Sequence, residues 1–281
     1  LKIYQLLRQL PARKREDGIW LLSARLSLTR SELMLDLGRD LSEPFLKRWK
    51  KDWARRLKGE PLQYIAGSAP FYGREFLVDR STLIPRPETE SLVELALGLI
   101  PKGKPARVLD IGTGTGAIAL TLKLERPEIE AHATDISGKA LTVAKKNGEK
   151  LGAVVSFHKG DLFFPALRRQ SWDVVVSNPP YLDFARDRVT KEVREWEPDS
   201  ALEPAASQRV EGMKDRGLWC GERILRACAE SKVAFTAMEL SARGARSLEA
   251  RWRKNARVER IWREADLAGR KRFLLVAWKN A

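Results

Sequence analysis

The tetrapeptide Asn178-Pro179-Pro180-Tyr181 follows the apolar run 173–177 and gathers hydrogen-bond acceptors rather than acids or nucleophiles. Two prolines in sequence fix the backbone and remove its donors. The carbonyls of Asn178 and Pro179 and the side-chain oxygen of Asn178 are then available to a substrate. An amide or exocyclic amino nitrogen is a poor nucleophile because its lone pair is delocalised into the adjoining π system. Acceptors on its two N–H bonds orient it for attack on a methyl donor and stabilise the positive charge that grows on it. No base is needed before attack, since methylation itself makes the nitrogen acidic. Tyr181 is placed to pack against the planar group. Asn178, Pro179 and Tyr181 are therefore the candidate catalytic residues, with Pro180 completing the substrate segment. A strand-ending proline turn without function would have the same residues, so their neighbours matter.

One neighbour is Asp110-Ile111-Gly112-Thr113-Gly114-Thr115-Gly116, directly before the apolar stretch 117–124. Glycines permit tight turns and close approach of a ligand, and the helix behind them offers free amides. A dinucleotide loop would read Gly-x-Gly-x-x-Gly; here glycines stand at every second position after an acid, which suits S-adenosylmethionine and its ammonium group better. Nineteen residues after Gly116, Asp135 ends a second strand-like run, where a carboxylate can accept both ribose hydroxyls. Asp161 and Leu162 end a third run and are placed to flank the adenine. The candidate cofactor residues are Gly112, Thr113, Gly114, Thr115, Gly116, Asp135, Asp161, Leu162 and Asn178, with S-adenosylhomocysteine as the spent form.

These residues need a sheet to bring them to one edge. Strand signals at 107–110, 130–134, 154–158, 173–177, 234–240, 258–263 and 272–278 alternate with helical ones, which implies a mostly parallel sheet covered on both faces. Only 264–271 separate the last two, too few for a helical crossover, so one of them runs antiparallel. The expected fold class is α/β: a Rossmann-like, seven-stranded class I methyltransferase domain at 91–281. Before it, 1–70 reads as a small helical bundle with apolar residues at three- and four-residue steps, breaks near Pro11 and caps at Ser31 and Ser42. The stretch 71–90 reads as a β-hairpin connector, with Phe71-Tyr72-Gly73 and Phe76-Leu77-Val78 around a turn. A helix is expected from 92 to 100.

Composition narrows the partners. The net charge is +15, yet 61–240 balance; 1–60 contribute +7 and 241–281 contribute +8. Basic ends suit weak contact with an anionic surface, although solvated helix faces explain them equally well. Cys220 and Cys228, eight apart on a helical stretch, fit core packing. His132 and His158 stand in strand-like runs without an adjacent acid or thiol, so no metal site is expected. No membrane span is expected either, and residues 1–10 lack the succession of a secretion signal, which points to a cytoplasmic protein; a monomer is expected.

Asn178 to Tyr181 resembles two groups of enzymes, those methylating adenine amino groups in nucleic acid and those methylating glutamine in proteins. Gly59-Glu60-Pro61-Leu62-Gln63-Tyr64-Ile65-Ala66-Gly67, Phe71-Tyr72-Gly73, Leu83-Ile84-Pro85-Arg86-Pro87-Glu88-Thr89-Glu90 and Asp266-Leu267-Ala268-Gly269 resemble the signature of the PrmC/HemK family across essentially the whole chain. The resemblance implies methylation of the glutamine in the Gly-Gly-Gln motif of class I peptide chain release factors, with the helical domain gripping the factor. It also implies cofactor contacts at the glycine loop, Asp135 and Leu162, and glutamine held by 178–181. The 85–90 loop is expected to border the pocket. Two departures stand out: 203–212 lacks the family's glycine pair, and Glu239-Leu240-Ser241 lacks a glycine after the acid. An rRNA, tRNA or DNA amino-group methyltransferase remains an enzymatic alternative. A cofactor-binding scaffold without activity would predict a broken loop or acceptor cluster, and both are intact.

Overall fold

The computed structural model describes residues 1–162 and 170–279. The chain divides into two compact units, Leu1–Ala69 and Pro70–Ala281.

The first unit is helical: α1 (Ile3–Arg8), α2 (Arg15–Leu26), α3 (Arg30–Leu35), α4 (Glu43–Leu57) and α5 (Leu62–Ala66). None is long enough to be stable alone, and burial of a shared apolar face holds them. Leu6, Leu7, Leu10, Ile19 and Leu22 meet Leu33, Trp49 and Ile65 in that core. Arg25 bonds Asp52 at 2.7 Å and the Ile65 carbonyl at 2.5 Å, so one guanidinium ties α2 to both α4 and α5. Thr29, rather than Ser31, caps α3. Its hydroxyl accepts from the Glu32 amide and its own amide donates to the Glu32 carboxylate, a reciprocal pair that needs the acid three residues on. Ser42 caps α4 as expected, with Pro44 in the first turn.

At the unit boundary β1 (Ser68–Phe71) and β2 (Arg74–Leu77) form a hairpin. Helix α6 (Pro87–Leu99) begins five residues before the expected start at 92, so residues 87–90 are its first turn and not a connector. Pro87 occupies the position where a missing N–H costs nothing. The sheet follows as β3 (Arg107–Ile111), β4 (Glu130–Asp135), β5 (Ser156–Lys159), β6 (Ser171–Ser177), β7 (Lys232–Glu239), β8 (Val258–Glu264) and β9 (Phe273–Trp278). Their spatial order is β5-β4-β3-β6-β7-β9-β8, and β9 pairs antiparallel with both neighbours. This is the Rossmann-like, seven-stranded arrangement expected.

Alternation along the strands sends side chains to two cores. Val108, Val174 and Val176 pack with α6 and with α7 (Ala117–Glu125). Leu109, Ile111 and Val175 face the other way. There they meet Ile224 and Leu225 of one helix and Leu248 and Trp252 of the next. In chain order the remaining helices are α8 (Gly138–Leu151), α9 (Lys191–Trp196), α10 (Asp199–Leu202), α11 (Trp219–Ala229) and α12 (Ala242–Trp252). Cys220 and Cys228 are free and fully buried on α11. The histidines depart from expectation: parallel pairing of β4 with β5 stacks the rings and sets His132 Nδ1 3.1 Å from His158 Nε2, while His132 Nε2 lies 2.8 Å from Glu130. An acid two residues away on the same strand face was the neighbour the linear sequence concealed. Among the described residues no group of His, Cys, Asp and Glu is gathered to hold a metal ion, and no helix is long and apolar enough to cross a membrane.

Candidate cofactor and substrate cleft

The carboxyl ends of β3, β4, β5 and β6 open into one cleft of about 1050 Å³, counting its open mouth. Gly112 and Gly114 lie at φ of +74° and +56°, and a Cβ on either would project into open space. The loop is therefore kept free of side chains on its ligand side. Gly116, at φ +81°, serves packing instead: a Cβ there would stand 2.8 Å from Leu120 Cδ1. It does not line the cleft, whereas Thr113 and Thr115 do. Asn147 on α8 fixes the loop from below, donating to the Thr115 carbonyl and clasping both backbone groups of Leu77.

Asp110 is wholly buried and does not line the cleft. One oxygen accepts from the Thr113 hydroxyl at 2.6 Å and the Ala119 amide at 3.3 Å, and the other has no partner. Burial pushes its pKa up to about 7, and the charge of Asp135 adds to that. The native state thus binds more protons than the unfolded chain between about pH 4 and 7, so stability is lost as pH rises through that window. Thermal melting from pH 5 to 8 should show Asp110→Asn gaining on the native protein, on the order of 2 kcal/mol; parallel curves would place the titration elsewhere.

Asp135 lines the cleft with its carboxylate already oriented: one oxygen accepts from Gly114 N–H at 2.9 Å and the other from Ser137 N–H at 2.8 Å. Burial raises its pKa, and these two amides oppose the rise. Each oxygen keeps a further acceptor site. Asp161 and Leu162 form the next part of the wall. Leu162 holds φ +49°, an uncommon setting for a branched side chain, and its carbonyl accepts from the Thr134 hydroxyl.

Asn178 sits at the end of β6. Its Nδ2 donates to Thr89 Oγ1 at 3.0 Å and to Glu239 Oε2 at 3.2 Å, while the Thr89 hydroxyl donates to Glu239 Oε2 at 2.8 Å. The two acceptors lie on one side of the amide nitrogen, so Thr89 and Glu239 together fix the plane of the Asn178 side chain at the cleft. Glu239, 1% exposed, is also approached by Arg272 at 3.5 Å, which in turn lies 2.9 Å from Asp266. Burial raises the Glu239 pKa. Thr89 and Glu239 are the residues sequence reasoning missed. The one available signal was an acid ending a strand on the same edge as Asp135 and Asn178.

Of the tetrapeptide, Asn178 and Pro180 line the cleft, whereas Pro179 is buried behind it and Tyr181 packs toward the α11 core. Desolvation, then the Glu239 charge, pushes the Tyr181 phenol well above its ordinary range. Gly217 presses on this segment so closely that a Cβ would stand 2.3 Å from the Tyr181 carbonyl oxygen. Across the mouth, Arg86 bonds the buried Glu197 at 2.5 Å, and Ser200, Ala201, Ala205 and Gln208 form a roof. The 85–90 stretch does border the cleft, through Pro85, Arg86 and Thr89.

Comparison with known proteins fits this geometry. The PrmC N-terminal domain family model matches residues 2–67, and the methyltransferase small domain model matches 92–194. A release factor glutamine methyltransferase of Neisseria gonorrhoeae is 44% identical over 177 residues, covering 62% of this chain and 63% of the relative. That of Koribacter versatilis is 43% identical over 183 residues, 65% of each. The chain thus spans slightly less than two thirds of the length of these curated relatives. Among solved structures, a methyltransferase from Pyrococcus furiosus superposes with TM-score 0.54 at 17% identity, covering 83% of this chain and 100% of that one. The N-terminal domain of human METTL16 in complex with SAH gives 0.52 at 20%, covering 82% and 83%. At such identities the structures speak for the fold alone, which is that of the methyltransferases. Both family models match in this order along the chain, and the chain is similar to release factor glutamine methyltransferases.

Proposed function

We propose that this chain transfers a methyl group from S-adenosylmethionine to the side-chain amide nitrogen of the glutamine in the Gly-Gly-Gln motif of class I peptide chain release factors. The observation that carries the reading is the fixed Asn178 amide beside the glycine loop, whose nitrogen is held by Thr89 and Glu239. An acceptor oxygen preset in this way suits a substrate that offers N–H bonds. The similar release factor glutamine methyltransferases suggest the substrate class. The residues present fit the cofactor: two glycines whose side-chain space is open and a preoriented Asp135 carboxylate for ribose hydroxyls.

The cofactor supplies an electrophilic methyl group. Asn178 Oδ1 and the Asn178 carbonyl accept the substrate amide N–H bonds, turn its nitrogen toward that group and stabilise the charge it acquires. Pro180 shapes the cleft wall, and Tyr181, by packing inward, sets the path of the segment. The bound amide needs no general base from the protein, because its proton becomes acidic as the new bond forms. Mass mapping of the factor's Gly-Gly-Gln peptide after incubation with cofactor tests the reading. A methylated glutamine is expected, and an unmodified peptide would overturn it.

Partner contact draws on the charge of the first unit. Lys14, Arg251 and Arg253 are already paired with Asp17, Glu222 and Glu249. By contrast Lys47, Arg48, Lys50 and Lys51 on the exposed side of α4 have no ion pair among the described residues. Reversing Lys47, Lys50 and Lys51 to Glu is expected to lower kcat/KM for the factor about five- to tenfold at low salt, and to leave kcat unchanged. The difference should vanish above about 0.3 M salt, where the Debye length is short; a difference that persists there would assign these lysines another role. A release factor as substrate implies action in the cytoplasm.

A further inference from the structure

Segment 203–212, which departs from the family pattern, does more than close the mouth of the cleft. Ala205 and Gln208 line it beside Asp161. Gln208 is 5% exposed and sits at the end of a single turn, Ala206–Gln208, folded over its own side chain. Its Oε1 accepts from the Ala205 amide at 2.9 Å, and the Cys220 thiol approaches the same oxygen at 3.4 Å. With that oxygen fixed, the amino end has one direction left, and Nε2 donates to Asp161 Oδ1 at 2.8 Å. Arg223 takes the other carboxylate oxygen at 2.9 Å. The plane of the Asp161 carboxylate is thus set from two sides before any ligand arrives.

The position of this carboxylate defines what it meets. Asp135 ends β4 and is oriented for a ribose, and Asp161 follows β5, the next strand outward. A base attached to that ribose extends toward Asp161. A carboxylate oxygen has two acceptor sites, so Oδ1 can take one hydrogen bond from Gln208 and one from an exocyclic amino group. A base with a carbonyl at that position would set two acceptors against each other.

We propose that Gln208 is a positioning residue for the cofactor's base: it holds Asp161 so that the cleft selects 6-aminopurine over 6-oxopurine, and it makes this selection depend on 203–212 being folded as the roof. The inference rests on the reading of the cleft as an S-adenosylmethionine site. Without the Gln208 bond, Asp161 keeps only its Arg223 partner and can rotate. Affinity for the aminopurine then falls, while a ligand that never used Asp161 loses nothing.

Titration calorimetry of the full chain with S-adenosylhomocysteine and with its deaminated analogue S-inosylhomocysteine separates the possibilities. The native protein should favour the former at least tenfold. Gln208→Met, similar in length but without hydrogen-bonding groups, should weaken S-adenosylhomocysteine about tenfold and the analogue less than twofold, a change the size of one lost hydrogen bond. Gln208→Glu keeps the acceptor toward Ala205 but not the donor toward Asp161, and should show the same loss of selectivity with the roof sequence otherwise intact. Unchanged selectivity in both variants, or equal weakening of both ligands, would overturn the proposal and reduce Gln208 to a roof contact. If the native protein bound neither ligand, the cofactor reading itself would fall, and this inference with it.

Discussion

Replacing Asn178 with Ala is expected to lower methyl transfer about 100- to 1000-fold, the usual cost of losing one preset group that stabilises transition-state charge. Binding of S-adenosylhomocysteine should stay within about threefold of the native protein, because the glycine loop, Asp135 and Asp161 are untouched. The asymmetry follows from the wiring of Asn178. Its amino group is held by Thr89 and Glu239 at the cleft wall, and the substrate amide is the partner left for its oxygen. Asn178→Asp makes a sharper variant: the oxygen remains, but a carboxylate replaces the donor that Glu239 accepts from, so a second acid faces the buried Glu239 and the side chain must turn. It should be as inactive as Asn178→Ala and also less stable. Single-turnover transfer, measured beside cofactor affinity, checks both. A rate near that of the native protein in Asn178→Ala would remove the acceptor account.

Glu239→Ala should have the largest effect on stability. The carboxylate accepts from the Thr89 hydroxyl and from Asn178 and faces Arg272 at 3.5 Å, all with 1% exposure. Its loss leaves Asn178 and Thr89 short of a partner and Arg272 with Asp266 alone. Breaking a buried charged network from one side costs about 3 kcal/mol, or roughly 6 to 12 °C in Tm for a unit of this size. Transfer should fall as well, because nothing then holds the Asn178 amide. A variant that melts with the native protein and retains its rate would show that Asn178 is positioned by other means.

The strands were readable because their cause is local. Runs such as 173–177, rich in valine, bury both faces, and all seven lie within two residues of where alternation placed them. The short connection 264–271 revealed the antiparallel strand for the same reason. Helix α6 was read short because Pro87 looks like a breaker in a linear scan and acts as a first-turn residue in three dimensions. The cleft walls at Gly112, Gly114, Asp135, Asp161 and Asn178 could be anticipated from strand ends, since the topology of a parallel sheet brings those ends together. What holds them in place could not. Thr89 and Glu239 are 150 residues apart, Gln208 and Asp161 are 47 apart, and no local propensity links such pairs. Tyr181 shows the converse: its proximity in sequence suggested a substrate contact, yet packing against α11 turns it inward.

The most direct measurement is the transfer of labelled methyl from S-adenosylmethionine to a purified class I release factor, to its variant with Ala in place of the Gly-Gly-Gln glutamine, and to bulk RNA, side by side. Label on the intact factor alone, mapped to that glutamine, is the result the fixed Asn178 acceptor predicts. Label on RNA, with the factor unmodified, would contradict it and assign the same acceptor to the amino group of adenine.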